Sequence, residues 1–501
     1  MKQPVKIVDL FAGPGGLGEG FSSVGPKDAP TFKIMVSVEK EASAHKTLTL
    51  RAFTREFNCR ILPKEYYQYI RGEITKEHLI KVYPKQWAAA NEETLGKPVA
   101  LGVDNALIHE KISQALGHNK EPWVLIGGPP CQAYSLVGRA SNSGREGYVA
   151  EQDGRHFLYK EYLEIIKKFE PSVFVMENVK GILSSSPAGK PIFDQILTDL
   201  KNPGQGALKY NIFSMSNSPR STNLWGPVFK GSDFVIKSEE HGIPQARHRV
   251  ILLGIRSDIA VETLQPLLEK VPKVSLGQII SNMPKLRSGL SKIDDTSSNW
   301  KDITAAAIIY AGATLNIDIS KILGHPLPTS RGKPFAISTQ TLSKRMPAKL
   351  RAWLADEQLG GIIQHETRSH MESDIHRYSY VSLFSYLHGR SPLLSEFPND
   401  LLPDHKNVHS GKFVDRFKSQ ARHLPSKTIT SHIAKDSHAF IHFDPAQSRG
   451  LTVREAARIQ TFPENYFFEG NRTQQYVQVG NAVPPFLASR IAEIVATIID
   501  H

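Results

Sequence analysis

The first half of the chain alternates short apolar runs with helical stretches. The apolar runs are VKIVDLF, TFKIMVSVEK, WVLIGGPP, SVFVMENV and HRVILLGIR, and a helical pattern, YLEIIKKF, precedes the fourth. Near-continuous apolar strands separated by helices are typical of a parallel sheet that is covered on both faces. We therefore predict a doubly wound α/β domain over residues 1–256, with ligands at the carboxyl ends of its strands.

Two stretches depart from this alternation. Residues 52–100 mix charged and apolar positions without a strand of the expected type, which indicates an insertion in the first domain. Residues 257–430 lose the strand–helix alternation and contain loops such as PLPTSRGKPF, which indicates a second, smaller and irregular domain. The stretch RIAEIVATIID has apolar residues at 491, 494, 495 and 498 and predicts an amphipathic helix.

The composition is that of a globular protein with a basic balance. Lys and Arg number 61 against 49 Asp and Glu, which gives a formal net charge of +12 for 501 residues. Residues 321–430 hold 16 basic and 9 acidic side chains, a distribution that suits a polyanionic partner. Two cysteines exclude a disulfide framework and a Cys-rich zinc site. Without a signal peptide or an apolar run of about 18 residues, we expect a cytoplasmic protein that is not membrane-bound.

A Gly-rich turn, AGPGG, follows the first predicted strand and opens a helix. Glycines let the backbone approach a ligand closely, and a helix N-terminus favours negative charge. Its spacing is not the usual Gly-x-Gly-x-x-Gly of dinucleotide-binding turns. Glu39 ends the next strand, where a carboxylate can bind a ribose diol. Together they predict a ligand that contains a nucleoside.

Three further groups follow or precede apolar runs in the same half of the chain. Cys131 comes after Pro-Pro at the end of the third run, where it is either a nucleophile or a small buried cysteine. Glu177 ends the fourth run, as a second site group or as a helix cap or surface residue. Arg247 and Arg249 alternate before the fifth run, where they grip a phosphate or base, or line a solvated edge.

Three histidines in the second domain raise the question of a metal site. His365, His370 and His376 have no cysteine nearby and no Glu-x-x-His pattern. We expect surface histidines that lie beside DNA or pair with Glu366 and Asp374, and no metal.

The blocks of sequence, taken in order, resemble those of the DNA (cytosine-5-)-methyltransferases of bacterial restriction–modification systems. The matching blocks are DLFAGPGG, the acidic residue at 39, GGPPCQ, ENV, QARHR, LTVREAARIQTFP at 451–463 and QVGNAVPP at 478–485. The resemblance implies a Rossmann-like S-adenosylmethionine-dependent domain. It also implies a target-recognition domain over 257–470 and a segment, 471–501, that returns to the first domain.

The resemblance also implies roles for single residues. Cys131 would add to carbon 6 of cytosine, Glu177 would hold a proton near ring N3, and Arg247 and Arg249 would steady the base and its phosphates. The implied cofactor contacts are Phe11, Ala12, Gly13, Gly15, Gly16, Leu17, Glu39, Asp104, Pro129, Asn481 and Val483. The expected substrate contacts are Gln132, Ser135, Asn178 and Gln245, and in the basic stretch Arg331, Lys333, Lys344 and Arg345.

Partners follow from the same resemblance: double-stranded DNA as substrate, S-adenosyl-L-methionine as cofactor, and a cognate restriction endonuclease as functional counterpart of a monomeric enzyme. One alternative is an RNA cytosine-5 methyltransferase. The tRNA-acting branch of the family carries a Cys-Phe-Thr tripeptide, which is absent from a chain whose cysteines are Cys59 and Cys131. A second alternative is a non-catalytic DNA-binding scaffold, for which the loss of Cys131 or Glu177 is expected.

Overall fold

The computed structural model describes residues 3–57, 61–117, 121–129, 158–185, 192–223, 226–260, 266–338, 342–404 and 416–500. The strands are β1 (Val5–Leu10), β2 (Phe32–Val38), β3 (Trp123–Gly127), β4 (Val173–Val179), β5 (Tyr210–Phe213), β6 (Ser221–Asn223), β7 (Gly226–Val228), β8 (Val235–Lys237), β9 (Gln245–Ala246), β10 (His248–Arg256), β11 (Gly289–Leu290), β12 (Gly332–Ile337), β13 (Gly361–Glu366), β14 (Ser369–His370) and β15 (Ser426–Lys427). The α-helices are α1 (Gly16–Ser22), α2 (Ala42–Arg55), α3 (Lys64–Ile70), α4 (Lys76–Val82), α5 (Pro84–Glu93), α6 (Asn105–Leu116), α7 (Leu158–Phe169), α8 (Ile192–Lys201), α9 (Leu276–Ile280), α10 (Ser297–Leu315), α11 (Ser320–Leu323), α12 (Ala348–Leu354), α13 (Glu372–His388), α14 (Val453–Ile459), α15 (Arg472–Asn481) and α16 (Pro485–Asp500).

The main sheet has the strand order β2-β1-β3-β4-β10-β5, and β8 also pairs with β10. Strands β2, β1, β3 and β4 are parallel, whereas β10 is antiparallel to β4, β5 and β8. The prediction of an all-parallel sheet was therefore wrong for the fifth apolar run. The connection from β8 to β10 is shorter than the dozen or more residues that a parallel crossover needs. As a result, the start of β10 lies at the edge where β4 ends.

Helices cover both faces of this sheet, which confirms the predicted α/β class. Ile7 and Val8 are neighbours on β1, and their side chains enter two different cores because successive strand residues point to opposite faces. One core continues into α16 through Ile491, and the other into α7 through Ile165. Because both faces of these strands are buried, the strands are apolar at nearly every position of the sequence.

The described residues of the stretch 52–100, which are 52–57 and 61–100, contribute to helices that pack on the sheet and beyond it. The capped N-terminus of α2 is held by the Glu41 carboxylate, which accepts a hydrogen bond from the Ala44 N–H at 2.7 Å. Helices α2 to α5 share an apolar core whose members include Phe53 and Tyr66. The same core contains Ile363 of β13, so these helices contact the second part of the chain as well.

The second part of the chain is built around the helix pair α10 and α13 and the antiparallel hairpin β12–β13. Helix α14 lies between the two parts of the chain. Val453 and Ala456 belong to the apolar core that contains Ile7 of β1. Arg454 and Arg458 donate to the carbonyls of Ile363 in β13 at 3.1 Å and Ile279 in α9 at 3.2 Å. Because α14 contacts both parts of the chain, the domain boundary at residue 470 stays a prediction.

The stretch Arg472–Asp500 is apolar and long enough for a membrane span, and 67% of its most apolar window is buried within the fold. It packs as a core element instead. A side chain on Gly20 of α1 would overlap Ala488 of α16, so the two helices approach closely at that point. The end of the chain thereby lies against the turn that follows β1.

Candidate active site

An ion pair lies where β4 ends and β10 begins. Arg249 Nε lies 2.9 Å from Glu177 Oε1, and the two side chains are 15% and 13% exposed. The antiparallel register pairs Arg249 with Val179 and Ile251 with Glu177, which brings the two charged side chains to the same edge. The Nη1 group of Arg249 also donates to the His248 carbonyl at 2.9 Å, which fixes the guanidinium beside the carboxylate.

The segment that leads to Cys131 passes directly beside this pair. A Cβ on Gly128 would lie 3.1 Å from Glu177 Oε2, so the absence of a side chain lets the backbone run against the carboxylate. The Asn178 amide is buried and donates to the carbonyl of Pro129 at 3.4 Å. Asn178 was expected to contact the substrate, but its contacts make it a positioning residue for this segment.

Three residues of the expected site lie outside the described residues. They are Cys131, Gln132 and Ser135. The described stretch 121–129 ends at Pro129, which is buried and follows the carboxyl end of β3.

Arg247 is buried and points inward from the same edge. Its Nη1 donates to the carbonyls of Ile429 at 2.9 Å and Gly480 at 3.2 Å. Burial, followed by the nearby charge of Arg249, lowers the pKa of Arg247 well below its usual value. A guanidinium that is 2% exposed does not reach a phosphate on the surface. The expected phosphate contact of Arg247 is therefore corrected to the positioning of residues 429 and 480.

Gln245 is also buried and was expected to contact DNA. Its Oε1 accepts from the Ile429 N–H at 2.6 Å, and its Nε2 donates to Gln460 Oε1 at 2.9 Å. Both ends of the amide are thus used inside the protein. This correction has the same cause as that of Arg247: residues from late in the chain cover the start of β10.

The Gly-rich turn lies at the carboxyl end of β1. Its backbone has positive φ at Phe11 (57°), Gly13 (59°) and Gly15 (99°). A Cβ on Gly13 would have no heavy atom within 4 Å, so there is open space above the turn. The Glu39 carboxylate accepts from the Gly13 N–H at 2.8 Å and from the Glu41 N–H at 2.6 Å. Burial raises the pKa of Glu39, and these two hydrogen bonds oppose that shift.

The C-terminal segment closes the other side of this turn. A Cβ on Gly16 would overlap the carbonyl oxygen of Val483, so only glycine permits this approach. Asn481, two positions earlier, is exposed, whereas Ala12 and Leu17 are buried beneath the turn.

Tyr466 is a residue that the sequence analysis did not single out. Its hydroxyl donates to the carbonyl of Pro14, in the middle of the Gly-rich turn. The guanidinium of Arg51 lies 4.4 Å from the Tyr466 ring centroid and pairs with Glu19 of α1 at 2.6 Å. An aromatic residue within PENYFF gives no sequence signal for a contact 452 positions away.

Asp104 lies in the loop beside Glu39. The Val99 N–H donates to the Glu39 carbonyl at 3.0 Å, which attaches the start of this loop to the end of β2. Asp104 Oδ2 then accepts from the Ala100 N–H at 2.7 Å and shapes the loop before α6. The loop that contains Asp104 is thus attached to the end of β2, and one oxygen of the carboxylate is used by the backbone.

The basic candidates of the second part are not gathered at the Glu177 edge. Arg331 forms an ion pair with Asp295 at 2.7 Å, so the side chain that was expected to contact DNA is paired with a carboxylate of the protein itself. Lys333 is exposed on β12. Lys344 and Arg345 are exposed and line an open cleft of about 2000 Å³, among whose lining residues neither Glu177 nor Arg249 occurs.

His365 and His370 are buried, which corrects the expectation of surface histidines. His365 contacts the Thr452 hydroxyl at 2.9 Å and the Pro284 carbonyl at 3.0 Å. Burial lowers its pKa to about 4, and burial likewise lowers the pKa of His370 to about 3. Within the described ranges, no group of three or more His, Cys, Asp or Glu side chains is arranged to hold a metal ion.

The LTVREAARIQTFP block contains buried charges that hydrophobic patterning could not predict. Arg449, just before it, pairs with Glu455 at 2.8 Å. Arg458 pairs with Glu464 at 2.6 Å, and all four side chains are at most 4% exposed. Each buried charge of these two pairs has an opposite charge beside it, which explains why a charged block of sequence can pack in a core.

Comparison with known proteins identifies the relatives of this chain. Residues 103–496 match the family profile described as C-5 cytosine-specific DNA methylase. The chain is 31% identical over 512 residues to the type II methyltransferase M.Bpa9945I of Bacillus paralicheniformis, with 99% of each chain covered. It is 25% identical over 524 residues to the type II methyltransferase M.AgeI of Thalassovita gelatinovora, with 99% of this chain and 100% of the relative covered.

The fold has a counterpart among solved structures. A DNA modification methyltransferase encoded within an E. coli prophage matches with a TM-score of 0.53 and 17% identity, over 99% of this chain and 100% of that chain. This likeness supports the Rossmann-like α/β fold. Because the family profile matches most of the chain and a relative is 31% identical over nearly its whole length, the chain belongs to the C-5 cytosine-specific DNA methylase family and is a DNA (cytosine-5-)-methyltransferase.

Proposed function

We propose that this methyltransferase modifies cytosine through a covalent adduct of Cys131, with Glu177 as the acid–base group and Arg249 as its partner. The ion pair between Glu177 and Arg249 beside the Gly128–Pro129 segment carries this proposal. Pro129 stands two positions before Cys131 in the sequence. A carboxylate at this position can act on the same base that the cysteine attacks.

The chemistry requires a nucleophile because carbon 5 of cytosine does not attack a methyl sulfonium unaided. Addition of the Cys131 thiolate to carbon 6 makes carbon 5 nucleophilic. Glu177 holds a proton at ring N3 and favours this addition. After methyl transfer, loss of the carbon-5 proton expels the thiolate and gives 5-methylcytosine. A duplex buries carbon 6 in the base stack, so the target base is flipped out of the helix.

The Gly-rich turn fits S-adenosylmethionine, which supplies an electrophilic methyl group when bound. The open space above Gly13 accepts a ligand against the backbone, and the half-buried Glu39 carboxylate, oriented by the Gly13 and Glu41 N–H groups, is suited to a ribose diol. Asp104 would contact the adenine, and Asn481 and Val483 would close the site. The other residues proposed to hold the cofactor are Phe11, Ala12, Gly15, Gly16, Leu17 and Pro129.

Specific DNA sequences are proposed to be read by residues within 257–470. The exposed side chains of Lys333, Lys344 and Arg345 are suited to phosphate contacts, which supply affinity without reading bases. Gln132 and Ser135 remain proposed contacts of the flipped base. The type II methyltransferases among the relatives favour pairing with a cognate restriction endonuclease. We further propose that the enzyme is a monomer that acts on host DNA in the cytoplasm.

Two competing functions have less support. An RNA cytosine-5 methyltransferase or a catalytically silent scaffold is not favoured by a family whose matched relatives are type II DNA methyltransferases. Retention of both Cys131 and Glu177 further argues for an active enzyme.

The test is bisulfite sequencing of plasmid DNA from a methylation-free host that expresses the chain, beside a Cys131→Ala control. We expect protected cytosines at one short sequence with the wild type and none with the variant. Protection by both proteins would overturn the role of Cys131. Protection by neither, with S-adenosylhomocysteine binding intact, would overturn the action on DNA.

A further inference from the structure

The helices of residues 61–93 do not form a lobe of their own. Their apolar core includes Tyr67 and Ile70 of α3, and it is completed by Leu359 and by Ile363 of β13, with Phe335 of β12 packed at its border. The insertion therefore buries its apolar side chains against the β12–β13 hairpin of the second part of the chain.

Tyrosine hydroxyls on α3 extend this contact. Tyr66 donates to the Asn465 carbonyl at 2.8 Å, and Tyr67 donates to Asp356 Oδ2 at 2.8 Å. Asp356 in turn accepts from the Gln358 N–H at 3.0 Å, which shapes the turn that precedes β13. One short helix thus holds two segments that lie far along the chain.

Arg71, directly after α3, binds the same turn. Its Nε and Nη2 groups donate to the Leu359 carbonyl at 3.0 and 2.7 Å, and Nη2 also donates to the Gln358 carbonyl at 2.5 Å. The guanidinium lies 5.4 Å from the ring centroid of Phe335 on β12. A planar guanidinium with three such bonds and an aromatic neighbour fixes both the position and the tilt of the turn.

The hairpin that Arg71 holds leads into the basic segment. Strand β12 carries Lys333 and pairs with β13 in antiparallel register, with Lys333 opposite His365. Residues 342–345 follow β12 after a short connection and include the exposed Lys344 and Arg345. Lys344 and Arg345 are held separately, since Gln278 Nε2 donates to the Arg345 carbonyl at 2.8 Å. A change in the tilt of the hairpin would therefore move Lys333 relative to the first domain and to Lys344 and Arg345.

We propose that the insertion, through Arg71 and Tyr67, positions the β12–β13 hairpin for DNA recognition. Arg71 and Tyr67 are positioning residues: outside the insertion itself, their described contacts lie with the turn at 356–359 and with the hairpin. These contacts include neither the Glu177–Arg249 pair nor the Gly-rich turn. The inference rests on the proposed function of residues 257–470 in reading DNA. It predicts that the insertion governs DNA binding without governing cofactor binding.

The test compares Arg71→Met with Arg256→Met in the full-length protein. The two arginines are matched at 22% and 21% side-chain exposure, and each donates to a backbone carbonyl, but Arg256 joins elements within the first domain. We expect Arg71→Met to weaken binding to the methylation site in a DNA duplex about tenfold and to raise KM for DNA. Arg71→Met should leave kcat, KM for S-adenosylmethionine and the calorimetric affinity for S-adenosylhomocysteine within about twofold of the wild-type values. Arg256→Met should leave all of these values, and DNA binding as well, within about twofold of wild type.

Tyr67→Phe is the second variant, because it removes only a hydroxyl and decides the question if Arg71→Met does not fold. A smaller loss of DNA affinity with unchanged S-adenosylhomocysteine binding supports the proposal. Unchanged DNA affinity in a folded variant, or equal losses for DNA and S-adenosylhomocysteine, overturns it. Failure of the wild type to bind DNA would instead overturn the proposed function.

Discussion

Protonation of His365 is predicted to destabilise the fold in mild acid. The imidazole is buried between the Thr452 hydroxyl and the Pro284 carbonyl. Because a carbonyl can only accept, Nε2 carries the proton and Nδ1 accepts from the hydroxyl. Burial lowers the folded-state pKa to about 4, whereas an unfolded histidine titrates near about 6.5. Between about pH 6.5 and about pH 4, the unfolded chain therefore binds a proton at His365 that the folded chain does not.

The size of the effect follows from the two pKa values. Stability rises with pH wherever the unfolded state binds more protons, so this contribution is complete at pH 7.5 and is lost as the pH falls from 6.5 toward 4. Between pH 7.5 and 5.5, His365 is expected to remove about 1.3 kcal/mol from the free energy of unfolding. His370, whose pKa is about 3, acts with the same sign and a similar size.

The assay is urea unfolding of the wild type and of His365→Gln at both pH values. Comparison with the variant is needed because burial raises the pKa of Asp9, which acts in the opposite direction. We expect the variant to be less stable at pH 7.5 but to lose about 1.3 kcal/mol less than the wild type on acidification. His423→Gln, at an exposed position, is the control. Parallel losses in wild type and His365→Gln would refute the reasoning.

Two further predictions concern the Gly-rich turn. Tyr466→Phe removes the hydrogen bond to the Pro14 carbonyl and should weaken binding of S-adenosylhomocysteine roughly 2- to 12-fold in calorimetry. Tyr476→Phe, which removes a buried hydroxyl elsewhere, should not, and equal affinities for all three proteins would contradict the role of Tyr466. Gly16→Ala forces a methyl group onto the Val483 carbonyl and should lower the free energy of unfolding by about 1–3 kcal/mol. A variant that unfolds at the same temperature as the wild type in a thermal melt would contradict this prediction.

The strands of the main sheet could be predicted from sequence because buried strands are apolar on both faces. The direction of β10 could not, because an apolar run reads the same in either direction. The direction of β10 depends on the connection that leads to it from β8. The strands β8 and β9 are so short that they left no clear pattern of apolar residues in the sequence. The antiparallel direction is nevertheless what brings Arg249 to Glu177, so the predicted pair of groups meets for a reason that the sequence did not contain.

The roles of Arg247 and Gln245 could not be predicted for a different reason. Their partners, Ile429 and Gln460, lie more than 180 positions away, and local patterns carry no information about such contacts. The residue types were compatible with an exposed edge, and only the long-range packing turns them inward. His365 was misjudged in the same way, since a histidine reads as polar until its partners are known.

The closure of the Gly-rich turn by the end of the chain has a consequence for synthesis on the ribosome. Tyr466 leaves the ribosome 452 residues after Pro14, a delay of roughly 23–90 s at about 5–20 residues per second. During that time the nascent turn lacks both the Tyr466 hydroxyl and the Val483 carbonyl that pack against it. The first segment made is therefore among the last to reach its final structure, and the growing chain has no complete cofactor turn until translation is nearly finished.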